Sequence, residues 1–213
     1  MQAEDVESRF VCALNALPDT ITSATFLCAW IAPGLIGYDR VRDLLLLMLI
    51  EFIVMHSGAF TAVTLGAENV SRTKRALSLA GLTAFYLMFV LGFSLAFDST
   101  WPIWGFLWLF VSRFLQLFTS RAQAEAKMQR MLGGWVVSGM TYLAGTFATV
   151  LIPFPRLGIT AEVVSAMHLP GSGLWIEKPW IVLAFGTLYF GVLAWTKFKP
   201  IELNASTSAT TRP

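Results

Sequence analysis

Residues 44–66 read LLLLMLIEFIVMHSGAFTAVTLG, and this stretch decides the fold class. Only two of its side chains, Glu51 and His56, are ionisable. A helix of about 20 mostly apolar residues is long enough to cross the hydrocarbon core of a bilayer. The strands of a membrane β-barrel would instead alternate between apolar and polar residues, and this stretch does not. It therefore predicts a transmembrane helix.

Working outward, five further apolar segments are separated by charged or turn residues. They are residues 21–38, 76–97, 101–119, 133–154 and 180–196. Charged residues make up 13% of the 213-residue chain, whereas soluble domains carry about 25%. These features exclude a soluble domain and predict an all-α, polytopic integral membrane protein with a bundle of six transmembrane helices. Residues 1–199 form this single domain, and we expect 200–213 to be a disordered cytoplasmic tail.

The basic residues predict the orientation of the bundle. With six spans, ten Lys and Arg residues lie on the side of both termini and four lie on the other side. Because cytoplasmic loops are enriched in Lys and Arg, both termini are predicted to be cytoplasmic, in a bacterial cytoplasmic membrane. The net charge of +2 makes a nucleic-acid partner improbable. The expected partners are the lipid bilayer and either other membrane subunits or a second copy of the chain.

Ionisable side chains inside spans are costly and are candidates for function. They are Glu51 and His56 in the second span and Arg113 in the fourth. Glu51 and Arg113 differ in estimated depth by about 6 Å, so we expect them to be coupled. If they do not meet, a neutral partner such as Tyr or Ser is expected for Glu51. His56 lies about 140° around the helix from Glu51, so these two are not expected to pair.

Polar side chains extend this candidate intramembrane site along two helices. Ser57 and Thr61 follow one stripe of the second span, and Gln116 follows Arg113 on the fourth. The stripe on the fourth span predicts that its helix continues to about Leu132. Two interpretations remain open for both stripes: hydrogen bonds between helices, or the wall of a vestibule filled with water.

Three local patterns complete the predicted architecture. Small residues crowd residues 133–154, which predicts that the fifth span lies at the centre of the bundle. A short amphipathic helix precedes the first span and is expected to end near Pro18. In the long loop between the last two spans, a short helix is expected over about residues 160–169, followed by a break at 170–173.

No metal site or cofactor is predicted. The chain has two histidines, of which His168 falls in a loop, and it lacks an HExxH motif. The buried charges favour a transporter or channel-like protein that handles a proton or a small polar solute. One alternative is a non-catalytic membrane subunit or scaffold of a larger complex. An intramembrane enzyme acting on lipid is the third choice, so an enzyme is not the favoured prediction.

Overall fold

The computed structural model describes residues 2–66, 70–115 and 121–198, with side chains at 11–61, 63–64, 70–111 and 133–198. Within these ranges the chain folds into nine helices joined by turns. They are α1 (Gln2–Ile31), α2 (Pro33–Ile36), α3 (Tyr38–Gly66), α4 (Arg72–Ala96), α5 (Trp101–Leu115), α6 (Arg121–Leu151), α7 (Ala161–Ala166), α8 (Leu174–Glu177) and α9 (Pro179–Phe198). The tail predicted at 200–213 lies outside the described residues.

Five of these helices are long and apolar enough to cross a membrane. The stretches are Val11–Ile31, Tyr38–Thr61, Arg72–Ala96, Gly133–Leu151 and Pro179–Phe198. They coincide with five of the six predicted spans. The all-helical prediction is therefore confirmed, and the helices fit an integral membrane protein.

The fourth predicted span, residues 101–119, is described only as far as Leu115, the end of α5. Its described side chains, Trp101–Val111, are apolar but make a stretch shorter than the five candidate spans. A sixth crossing therefore stays a prediction. Residues 121–132, expected to extend this span, are helical but continue without a break into the fifth span as α6. The junction at 116–120, including Gln116, lies outside the described residues.

The expected end of the first helix near Pro18 is wrong. The helix α1 is continuous from Gln2 to Ile31 with Pro18 inside it. Membrane helices tolerate proline because an irregular segment in contact with lipid would leave more backbone groups without a hydrogen bond. Nearby threonines also donate to carbonyls four residues back, as Thr22 does to Pro18 at 2.8 Å. The longer α1 brings Asp19 into the first span.

Helix α9 lies at the centre of the helix bundle. The prediction that the fifth span takes this central position is wrong. Half of the α9 span (50%) is buried, against 11% of the span in α6. Small residues do allow close approach, but at single points: a Cβ on Gly145 would lie 2.1 Å from the Phe185 ring of α9. On the other side of α9, Gly186 makes room for Phe26 of α1, whose ring stacks on Phe190 at 5.6 Å.

Helix α3 lies between two hydrophobic cores and presents a different face to each. Met48 and Met55 pack into the core shared with α1, α6 and α9. Leu46, Ile50 and Ile53 pack into the core shared with α4 and α5. Residues three or four apart share a helix face, so Glu51 belongs with Met48 and Met55. This rotation of α3 determines which helices Glu51 can contact.

The loop between the last two spans packs onto the end of the first core. The predicted short helix is present as α7, which ends at Ala166 rather than at 169, and Thr160 caps its N-terminus by accepting from Val163 N. Val163 and Met167 are buried in the core. Hydrogen bonds from the Thr160 side chain and from the backbone N–H of Glu162 itself hold the pKa of Glu162 below its usual range. The connection is therefore an ordered cap over one end of the bundle.

Candidate functional site

Glu51 lies near the middle of its span. Among the described side chains its candidate span runs from Tyr38, thirteen residues before Glu51, to Thr61, ten residues after it. Its side chain is partly buried, and its Oε1 accepts a hydrogen bond of 2.8 Å from the hydroxyl of Tyr189 on α9. The structure thus gives Glu51 a tyrosine as its partner.

A second tyrosine completes the Glu51 cluster, which we define as Glu51, Tyr142 and Tyr189. The Tyr142 hydroxyl donates to the carbonyl of Met48 on α3 at 2.8 Å. The ring centroids of Tyr142 and Tyr189 are 5.4 Å apart, with the planes almost perpendicular. Tyr142 is nine residues from either end of its span, and Tyr189 is ten and nine residues from the ends of its own. Three polar side chains therefore meet at the middle of three spans.

An ion pair lies at the C-terminal end of α9. Lys197 Nζ contacts Asp19 Oδ2 of α1, and the Lys197 side chain is 45% exposed whereas that of Asp19 is 13% exposed. The pair therefore ties α1 to α9 eight residues beyond Tyr189, the partner of Glu51.

Ser57 and Thr61 lie on another face of α3, away from the Glu51 cluster. Both are 1% exposed and continue the stripe of Ile50 and Ile53. The Ser57 hydroxyl donates to Val54 O at 3.0 Å, and the Thr61 hydroxyl donates to Ser57 O at 2.7 Å. The structure therefore does not bring these hydroxyls to Glu51, and these hydrogen bonds stay within α3.

His56 faces a third direction. Its Nδ1 is 2.9 Å from Phe52 O, and its ring centroid is 4.0 Å from that of Phe52. It lines an apolar cavity between α3, α4 and α6. Glu51 and His56 therefore have different surroundings, as expected from the angle of about 140° between them around the helix.

The predicted pairing of Glu51 with Arg113 is not tested by the described side chains. Arg113 belongs to α5, but its side chain and the whole of Gln116 lie outside the described residues. The face of α3 that packs with Phe106 of α5 carries Leu46, Ile50 and Ile53. The hydrogen bond that the structure describes for Glu51 runs to α9. A coupling of Glu51 to Arg113 therefore stays a prediction.

Sequence reasoning missed four residues of this region: Asp19, Tyr142, Tyr189 and Lys197. Asp19 and Lys197 fall just outside the predicted limits of the first and last spans, so neither counted as an intramembrane charge. The two tyrosines carry a signal that could have been used. Tyrosine is typical of the ends of membrane spans, whereas these two lie in the middle, where a hydroxyl needs a partner.

Among the residues searched, no group of three or more His, Cys, Asp or Glu side chains could hold a metal ion. Comparisons with protein-family models, with curated proteins and with solved structures each returned no match. The functional argument therefore rests on the geometry of the Glu51 cluster and of the adjacent Asp19–Lys197 pair.

Proposed function

We propose that the protein handles protons inside the membrane, as a transporter or channel-like protein, and that Glu51 is the group that binds and releases the proton. The observation that carries the proposal is the position of Glu51 at mid-span, where Tyr189 donates a hydrogen bond to its carboxyl group. Ionisable groups at this depth typically belong to proton relays or substrate paths.

The Asp19–Lys197 pair supports access to Glu51 from one end of the bundle. Lys197 is half-exposed and contacts Asp19. A proton entering at the C-terminal end of α9 would pass along the α1–α9 interface toward Glu51. Because Tyr189 donates to one carboxyl oxygen, it orients the group and leaves the other oxygen for the exchanging proton.

The proposal narrows the expected cargo to the proton. Two cavities between the described side chains are lined mainly by apolar residues. A pathway for a polar solute would need several hydrogen-bonding side chains along its wall, because a polar molecule must replace its lost hydration. A proton needs only a short series of exchangeable groups.

A flux assay tests the proposal. The purified protein is reconstituted into vesicles that contain a pH-sensitive dye, and a pH gradient is imposed with a potassium ionophore to compensate charge. We expect proton entry above that of empty vesicles, and we expect Glu51→Gln to abolish the excess because the amide cannot exchange the proton. Glu162→Gln, which changes an exposed loop carboxylate, is the matched control and should retain it. Equal flux in wild type and Glu51→Gln would contradict the proposal.

A second candidate function is a non-catalytic membrane subunit, and one observation favours it. Polar contacts tie four helices together: Tyr189 to Glu51, Tyr142 to Met48 O, Lys197 to Asp19, and Ser23 to Thr187 O. Such contacts are also what a bundle that only holds its shape would use. In that case Glu51→Gln would lower stability while vesicles with and without the protein showed the same proton flux.

A further inference from the structure

Three hydroxyl groups follow one face of α6 from the Glu51 cluster toward the loop between the last two spans. Tyr142, Thr146 and Thr149 are separated by four and three residues, so they share a helix face and extend about 10 Å along it. Tyr142 and Thr149 are buried, and Thr146 is partly buried. We call these three side chains the hydroxyl stripe.

The hydroxyl stripe is in contact with other elements at both of its ends. At one end, Tyr142 is itself a member of the Glu51 cluster. At the other end, the indole Nε1 of Trp175 in α8 donates to Thr149 Oγ1 at 3.3 Å. The Phe185 ring of α9 packs against the rings of Tyr142 and Trp175, at centroid distances of 5.0 and 5.9 Å. The stripe therefore joins the middle of the bundle to its loop end.

The hydroxyls of the stripe have the chemistry and the spacing that a proton relay needs. Thr149 donates to Thr146 O at 2.6 Å, and Thr146 donates to Tyr142 O at 2.9 Å. A hydroxyl also has two lone pairs and can rotate, so it can accept one proton and release another. Residues three or four apart on a helix have Cβ atoms about 5–6 Å apart, a gap that one water molecule bridges with two hydrogen bonds of about 2.8 Å.

The space beside the stripe is a cavity of about 650 Å³ between α3, α4 and α6. Its walls are mainly apolar, but Tyr142, Thr146 and Trp175 all line it. A second cavity, of about 570 Å³, shares Trp175 with the first and reaches residues 171–173 of the loop, which are exposed. Water that enters at the loop therefore has a route past Trp175 and Thr146 to Tyr142.

We propose that the hydroxyl stripe carries the proton between Glu51 and the loop end of the bundle. The inference rests on the proposed function and supplies the second half of its path, because the Asp19–Lys197 pair lies at the opposite end of α9. In each step a hydroxyl oxygen accepts a proton from one neighbour and passes its own proton to the next, so the hydroxyls are unchanged after one transfer. Trp175 can only donate, so it positions Thr149 and does not carry the proton.

Threonine-to-valine substitutions test the stripe in the vesicle flux assay. Valine has nearly the shape of threonine but no hydroxyl, so Thr146→Val and Thr149→Val each remove one transfer group and should lower the proton flux about tenfold. Thr83→Val on α4 is the matched control and should retain the flux. Thr83 is also partly buried and donates to the carbonyl four residues back, at 2.8 Å, but it lies outside the stripe.

Serine variants separate proton transfer from stability. Thr146→Ser and Thr149→Ser keep the hydroxyl, so they should keep the flux even where the lost methyl group lowers the melting temperature. If a valine variant fails to fold, the corresponding alanine variant replaces it, because alanine has the higher helix propensity.

Two failures can be told apart in the same assay. Wild-type flux in the folded valine variants, while Glu51→Gln is inactive, would overturn the stripe and leave the proposed function in place. An equal loss of flux in Thr83→Val would also overturn the stripe. Wild-type protein that conducts no more than empty vesicles would overturn the proposed function, and the stripe with it.

Discussion

At the scale of single residues, Glu51 depends on a partner from a helix 138 residues away along the chain. Tyr189 supplies a neutral hydroxyl, which can donate to the carboxyl group whether or not it carries a proton. Hydropathy identifies Glu51 as unusual, but it does not say which helix Glu51 faces. That information comes from the packing of α3 between two cores, with Met48 and Met55 on the side of α9.

Tyr189→Phe should lower the melting temperature in detergent. The change removes one hydroxyl and leaves the fully buried ring in place, so the loss reflects the hydrogen bond to Glu51, about 1 kcal/mol for such bonds in membranes. Tyr38→Phe is the control, because Tyr38 is 38% exposed at the beginning of α3. Circular dichroism during heating measures both, and equal melting temperatures for wild type and Tyr189→Phe would contradict the assigned bond.

The Asp19–Lys197 pair predicts an asymmetry between its two single variants. Lys197→Gln leaves a carboxylate that is only 13% exposed without its cation, whereas Asp19→Asn leaves a lysine that is 45% exposed and can reach water. Lys197→Gln should therefore destabilise the protein more than Asp19→Asn. The double variant should recover part of that loss. Asp39→Asn is the control and should change little, because the Asp39 side chain is 94% exposed. Equal and additive losses from the two single variants would show that the pair is not coupled.

At the scale of helices, the errors of the sequence analysis have physical causes. Proline predicts a break in water-soluble helices, but α1 continues past Pro18 because a membrane disfavours unbonded backbone groups. Small residues predict close packing between helices, but they do not indicate on how many sides of a helix its neighbours lie. In α6, Met140, Leu143 and Phe147 are exposed while Gly145 approaches α9, so the helix is packed on one side and open on the other.

Gly145→Ala should destabilise the bundle through a single methyl group. The added Cβ would lie 2.1 Å from the Phe185 ring, which is 2% exposed and packed against Tyr142 and Tyr189. Because the ring has little room to move, we expect a loss of about 1–3 kcal/mol. The second-site change Phe185→Leu should recover part of it.

Gly134→Ala is the control for this substitution, since nothing lies within 4 Å of its added Cβ. It should be neutral or stabilising, because alanine favours the helix by about 1 kcal/mol over glycine. The same melting experiment reports both variants. A loss for Gly134→Ala equal to that for Gly145→Ala would show that the contact with Phe185 does not explain the result.

At the scale of the whole molecule, composition and hydropathy were enough to predict an all-helical bundle and five of its long apolar helices. Each of these helices is predicted from a continuous run of apolar side chains, which the sequence shows directly. The site depends instead on contacts between helices that are distant in sequence, such as Tyr142 with Met48 O. The predicted site residues Ser57 and Thr61 share a helix with Glu51 but continue the stripe of Ile50 and Ile53, which packs into the other core.

The number of crossings is testable through the two termini. Ten basic residues on the side of the termini and four on the other predict that both ends are cytoplasmic, which requires that the segment containing α5 crosses the membrane. Reporter fusions at Met1 and Pro213 should both be active only as cytoplasmic reporters, and a reporter inserted in residues 155–178 should show the opposite. Termini on opposite sides would reduce the crossings to five.

The central claim is that Glu51 exchanges a proton with water from within the membrane. Infrared difference spectroscopy of the reconstituted protein, recorded between two pH values in H₂O and again in D₂O, measures this most directly. We predict a carboxyl C=O band that shifts in D₂O, disappears in Glu51→Gln and persists in Glu162→Gln. A spectrum in which no pH-dependent carboxyl band is lost in Glu51→Gln, or in which the Glu51 band does not shift in D₂O, would contradict the account.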